Sequence, residues 1–129
     1  VIAVNIMKIE LMRLSAGEST RSALEAFSKC RAELLPVLDC DGIMLGLLCK
    51  ESLLRAVEKE SVLGEGLTVA DIYETDFECV EPEASFDELR DKFAKGALLL
   101  FVVDKGGRLL GSISEAELTS RLQEYGRRE

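Results

Sequence analysis

An α+β fold made of one β-α-β-β-α unit written twice is what these 129 residues predict. Three features point there: an internal repeat at a near-constant offset, apolar strand pairs joined by Asp- and Gly-rich turns, and a helix that opens on serine. The repeat is read first, because missing one misassigns a whole fold. Ala3-Val4-Asn5-Ile6-Met7 aligns with Val69-Ala70-Asp71-Ile72-Tyr73, an offset of 66 residues that also carries Leu14 onto Val80, Ala16 onto Pro82, Ser19 onto Ser85 and Phe27 onto Phe93. Beyond that helix the offset drops to 65. Pro36-Val37-Leu38-Asp39 then falls on Phe101-Val102-Val103-Asp104, Gly42 on Gly107 and Gly46 on Gly111. The copies are residues 1–64 and 65–129.

Each copy opens on a short helical lead-in, Val4 to Met7 or Val69 to Tyr73, and runs into a brief alternating strand, clearest at Phe77-Glu78-Cys79-Val80. A helix follows. In the second copy Ser85-Phe86-Asp87-Glu88 has the S-x-x-E pattern of a capping box, with Phe86, Leu89 and Phe93 on one face. The first copy offers Ala23, Leu24 and Phe27 with a poorer cap. Two adjacent strands come next, Leu34 to Asp39 with Ile43 to Cys49, and Leu98 to Asp104 with Leu109 to Ser114. Their Asp-Cys-Asp-Gly and Asp-Lys-Gly-Gly links supply the positive φ of a tight hairpin. The strands are almost wholly apolar, so both faces should be covered. A last helix, Glu51 to Lys59 or Glu115 to Tyr125, closes each copy, and Ser61 to Gly66 connects the two. A copy of about 60 residues buries little surface alone, so the two are expected to pack sheet against sheet.

Composition narrows the chemistry. The chain is 47% hydrophobic, 31% charged and 5% aromatic, with Lys+Arg 16 against Asp+Glu 24 for a net charge of −8. With no His, Ser-His or Cys-His catalysis and His-containing metal sites are excluded. Excess acid argues against a nucleic-acid groove, which needs Lys and Arg on phosphates. No run approaches the ~18 apolar residues of a membrane span, and Val1-Ile2-Ala3 lacks a signal peptide's basic flank. Because it opens without Met, the chain is expected to be part of a longer polypeptide. Cys30, Cys40, Cys49 and Cys79 form no C-x-x-C pair and are expected to be reduced thiols in a cytosol.

The lead-in of type V-x-D-I-M, the S-x-x-E helix, the hairpin strands and a final G-h-h-S/T before a helix, found twice, resemble the CBS domain, named after cystathionine β-synthase. Two in tandem resemble the pair called a Bateman module, over essentially the whole chain. The resemblance implies a pseudo-twofold pair of β-α-β-β-α repeats packed sheet to sheet, commonly assembled into a disc-shaped dimer. It further implies a regulatory rather than catalytic role, sensing AMP, ADP, ATP or S-adenosylmethionine for an attached or partner protein.

The family's ligand signature is G-h-x-T/S-x-x-D where the last strand meets the last helix. Its hydroxyl reaches ribose or phosphate, and its carboxylate accepts from ribose hydroxyls. Copy one reads Gly46-Leu47-Leu48-Cys49-Lys50-Glu51-Ser52, with Cys for Thr and Ser for Asp, so the ribose clamp is missing. Copy two reads Gly111-Ser112-Ile113-Ser114-Glu115-Ala116-Glu117, keeping the hydroxyl and lengthening the acid by one methylene. The resemblance therefore places an adenosyl ligand on Ser114 and Glu117, with apolar contacts from Ile72, Val80, Phe101 and Ile113. Set against this, Ser114 and Glu117 also spell a capping box that simply starts the last helix, worth about 1 kcal/mol with no ligand.

Remaining signals are read against simpler alternatives. Asp39-x-Asp41-Gly42 is a hairpin turn rather than a calcium loop, since the other calcium ligands are missing. Gly64-x-Gly66 lacks a third glycine and a preceding strand, so it is no dinucleotide fingerprint. Cys49 is a reactive thiol at a helix start or, more simply, a small apolar residue. Asp71, Glu74, Asp76, Glu78, Glu81, Glu83, Asp87, Glu88 and Asp91 crowd the second copy with Arg90 the sole base among them. They form a solvated face or, if they edge the cleft, disfavour a bare triphosphate relative to AMP, magnesium-bound ATP or S-adenosylmethionine. The sequence thus supports a ligand-sensing regulatory module and, as alternative, a degenerate pair acting as a ligand-free dimerisation module. Neither reading includes catalysis, nucleic acid or membrane contact by this segment.

Overall fold

The structure is a computed structural model and describes residues 2–128, without the side chains of residue 122 and residues 124–128. It is a mixed α+β fold with two three-stranded sheets. In chain order the elements are α1 (Ala3–Ile6), β1 (Leu14–Ser15), α2 (Thr20–Cys30), β2 (Leu34–Leu38), β3 (Met44–Cys49) and α3 (Lys50–Leu63). A 3₁₀ turn at Val69–Asp71 leads to β4 (Cys79–Val80), α4 (Phe86–Ala94), β5 (Leu99–Val103), β6 (Leu109–Ser114) and α5 (Glu115–Arg128). One sheet has the order β1-β2-β3 and the other β4-β5-β6. In each, the first pair is parallel and the second antiparallel. The repeat extends to detail. The antiparallel register slips at Val37/Leu38 and again at Val102/Val103, positions 65 residues apart.

Capping explains where the helices begin. Ser85 Oγ accepts from Glu88 N at 3.2 Å, and Ser19 Oγ accepts from Ser22 N at 3.1 Å. The expectation of a poorer first cap is therefore corrected: Ser19 makes the same bond, and Glu18 adds acceptors for Ser15 N and the Ser22 hydroxyl. Leu89 and Phe93 are buried with Phe86 packed beside them, as the spacing requires. The lead-ins also cap themselves: Asn5 Oδ1 accepts from Ile2 N, and Asp71 Oδ2 from Thr68 N. Helix α3 runs to Leu63, where Gly64 N bonds to Glu60 O at 2.9 Å. The connection is thus shorter than Ser61 to Gly66, because this bond carries Ser61–Leu63 into the helix.

The hairpin turns are built on aspartate. Asp39 Oδ1 accepts from Asp41 N (2.8 Å) and Ile43 N (3.0 Å), and Asp104 Oδ1 accepts from Gly106 N (2.9 Å) and Arg108 N (3.0 Å). Gly42 and Gly107 supply φ of 83° and 88°, which a residue with a Cβ adopts only under strain. With its oxygen committed to the backbone, Asp39 is a turn residue. Among the described residues no group of His, Cys, Asp or Glu is placed to hold a metal ion.

The chain divides into two compact units, Met12–Phe77 and Val1–Leu11 with Glu78–Glu129. The sequence copies 1–64 and 65–129 are therefore not the units of packing, because the lead-ins are exchanged. Lead-in α1 lies on β6, where Lys8 N bonds to Ser112 O (2.8 Å) and Ser112 N to Lys8 O (3.0 Å). The Val69–Asp71 turn lies with the first sheet, where Leu47 N bonds to Glu74 O (2.9 Å) and Glu74 N to Leu47 O (2.8 Å). One core gathers Ala3, Ile6, Val80, Leu89, Phe93, Leu100, Val102 and Ile113; the other gathers Leu14, Ala23, Phe27, Val37, Leu48, Leu53 and Val69. No described helix is long and apolar enough to cross a membrane.

Candidate functional site

Ser114 ends β6 and Glu117 sits in the first turn of α5, so strand geometry aims one and helix geometry the other at the same junction. Ser114 Oγ accepts from Glu117 N at 3.3 Å and donates to Glu117 Oε1 at 3.2 Å. The capping role is real. It does not use the whole carboxylate: Glu117 Oε2 is buried and receives no hydrogen bond from the described residues. A buried acceptor without a donor costs about 1–3 kcal/mol, more when charged. The junction thus holds a half-satisfied carboxylate beside a hydroxyl, a combination suited to a ligand that donates from its own hydroxyls.

The apolar candidates are placed differently. Val80 (5% exposed) and Ile113 (0%) point into the core with Leu89 and Leu100, and Phe101 (1%) is buried on the other face of β5. As they stand, none offers a surface on which a base could stack. Ile72 belongs to the other compact unit, packed against the core of Phe27 and Leu53. Its counterpart by the repeat offset is Ile6, and it is Ile6 that shares a core with Ile113. The packing of each lead-in on the other copy's sheet does carry a sequence signal, glycine in mid-strand, which marks close approach of another backbone. A Cβ on Gly111 would stand 2.7 Å from the Lys8 carbonyl oxygen and 2.9 Å from Met7 Sδ.

The copy-one junction is chemically different. Cys49 precedes α3 without a side-chain cap bond, and burial pushes its thiol up from the ordinary range, with Glu74 and Glu51 adding to the effect and Arg55 opposing it. The protonated thiol is favoured, so this position stabilises the fold below the ordinary thiol pKa and loses that contribution as pH rises through the raised value. A raised pKa disfavours the thiolate that an activated nucleophile needs. Iodoacetamide labelling at pH 8 followed by peptide mapping should modify exposed Cys40 and Cys79 before Cys49; Cys49 reacting first would contradict this. All four cysteines are free. Beside this junction a groove of about 750 Å³ is lined by Ser52, Arg55, Ala56, Lys59, Leu67 and Ile72 among others. This groove lies beside the junction that has Ser52 where the second copy has Glu117. A smaller one of about 270 Å³ lies between α4 and α5, at Phe86, Arg90, Phe93 and Leu118.

The nine carboxylates between Asp71 and Asp91 are all exposed. Glu78 pairs with Lys92 (3.1 Å) and Asp87 with Arg90 (3.0 Å), both open to solvent. They are a solvated face, and Asp71, Glu74 and Asp76 lie in the unit without Ser114. Their exposure fits the solvated face, where charges are screened by salt.

Two β-α-β-β-α sheets with exchanged lead-ins and a serine-acid junction after the last strand define the class as a paired-repeat module. Residues 69–124, less than half of the chain, match the family model of the CBS domain, and the whole chain has the fold of solved CBS-pair proteins. AcuB from Vibrio cholerae superposes with a TM-score of 0.85 at 22% identity, covering 100% of this chain and 97% of that one. CBSX2 from Arabidopsis thaliana, a CBS-pair protein, gives 0.83 at 18% identity, over 98% and 96%. A structure of CBSX2 in complex with AMP gives 0.80 at 20%, over 97% and 98%. At these identities the likeness shows the fold. No curated protein matches by sequence.

Proposed function

We propose that the chain is a regulatory module that senses an adenosyl ligand at Ser114–Glu117 and controls an attached or partner protein. The observation that carries this is the buried Glu117 Oε2, an acceptor with no donor among the described residues, beside a serine hydroxyl. Ribose hydroxyls would donate to it. The AMP complex of a neighbour with this fold supports AMP as the first ligand to try. The chemistry needs no catalyst or metal. Free thiols support a reducing, cytoplasmic setting.

A second reading, a ligand-free dimerisation module, draws on a different observation. Leu54, Val62 and Leu63 are exposed on α3, and the last two line the 750 Å³ groove. A thermal-shift panel of AMP, ADP, ATP, adenosine and S-adenosylmethionine separates the two. At 100 times the dissociation constant a ligand stabilises the fold by about 2.7 kcal/mol, or several degrees for a chain of this size. No shift with any of them at millimolar concentration, together with a dimer by light scattering, would replace sensing by dimerisation.

A further inference from the structure

The lead-in is fastened to its unit at two ends. Ala3 N donates to Ala84 O (2.9 Å) and Val4 N to Pro82 O (3.0 Å), while Lys8 exchanges its two backbone bonds with Ser112. Between these ends Ala3 and Ile6 sink into the core and Met7 packs against it. The seat exists because residue 111 has no Cβ. Two residues past Ser112, β6 ends at Ser114, and α1 packs on both β6 and α5. The lead-in therefore rests on the two elements whose meeting point is the Ser114–Glu117 junction.

We infer that segment Ile2–Lys8 is a strap whose docking is coupled to occupancy of that junction, an inference that rests on the reading of Ser114 and Glu117 as the ligand site. A ligand bonded to Ser114 and Glu117 fixes the end of β6 and the first turn of α5. Those are the surfaces the strap needs, so the docked strap is the state that binds more tightly. Coupling of this kind is reciprocal: docking raises ligand affinity by the same factor that the ligand favours docking. Local opening of the strap, without unfolding of the sheet, is the event that exchange of its amides reads. It is covalently continuous with Met12, the first residue of the other unit, so its release alters the chain leading there. The matching segment Thr68–Glu74 sits on β3 in the same manner, but its junction carries Cys49 and Ser52. It serves as an internal control.

Hydrogen exchange on the full chain, with and without saturating AMP, reads the coupling directly. Amides of Ala3, Val4 and Lys8 should slow about fivefold or more, the low end of ordinary coupling, while those of Leu47 and Glu74 stay unchanged. Equal slowing of both segments, or none in the first, overturns the strap. Lys8→Pro removes the donor to Ser112, and should weaken AMP about fivefold, whereas Lys8→Ala keeps that donor and should not. Unaltered affinity in Lys8→Pro also overturns it. Absence of AMP binding to the unaltered chain sinks the site reading and the strap together; binding without a strap response sinks the strap alone.

Discussion

Gly46→Ala will destabilise the protein by about 1–3 kcal/mol, the usual cost of forcing a methyl into packed structure. The methyl would strike the Glu74 carbonyl, and Tyr73 Cδ2 would be 2.6 Å away. A ring can turn aside; a carbonyl bonded in register to Leu47 cannot without breaking the two bonds that seat the lead-in. Gly111→Ala meets the equivalent obstacle in the Lys8 carbonyl and should behave alike. Gly17→Ala and Gly66→Ala are the controls, since a Cβ there meets nothing within 4 Å. Thermal melts of the four variants check this. Melting points for Gly46→Ala and Gly111→Ala within a degree of the controls would mean that the lead-ins do not sit where the structure puts them.

Glu117→Ala should abolish the AMP-induced thermal shift, and Ser52→Ala should leave it intact. Removing a charged acceptor for ligand hydroxyls costs about 1.5–3 kcal/mol for each bond lost, a weakening of roughly 10- to 150-fold. The variant should still fold. It forfeits one bond to the Ser114 hydroxyl and is relieved of a buried oxygen without a donor, while Ser114 Oγ can still accept from the backbone N–H at residue 117. The opposite pattern would move the site to the groove beside Ser52.

What could be read from sequence was local. Ser85 as a cap, the Asp39 and Asp104 turns, and the alternating core of α4 follow from short-range geometry that a few residues specify completely. The exchange of lead-ins was not legible from periodicity, because Val69-Ala70-Asp71-Ile72 has the same pattern whichever sheet it packs on. Only Gly46 and Gly111 encode it, as a missing Cβ. The bonds between Ser114 and Glu117 were legible because a hydroxyl and an acid three residues apart share one helix turn. The burial of Val80, Phe101 and Ile113 was not legible, since such residues look the same in a strand whether they line a cleft or fill a core. Burial decides that, and burial is a property of the whole packing.

Calorimetric titration of AMP into the unaltered chain tests the central claim most directly, because copy two keeps a carboxylate at its junction and copy one has Ser52. The expected stoichiometry is one AMP per chain, lost in Glu117→Ala. Two AMP per chain, or one that survives Glu117→Ala, would contradict it.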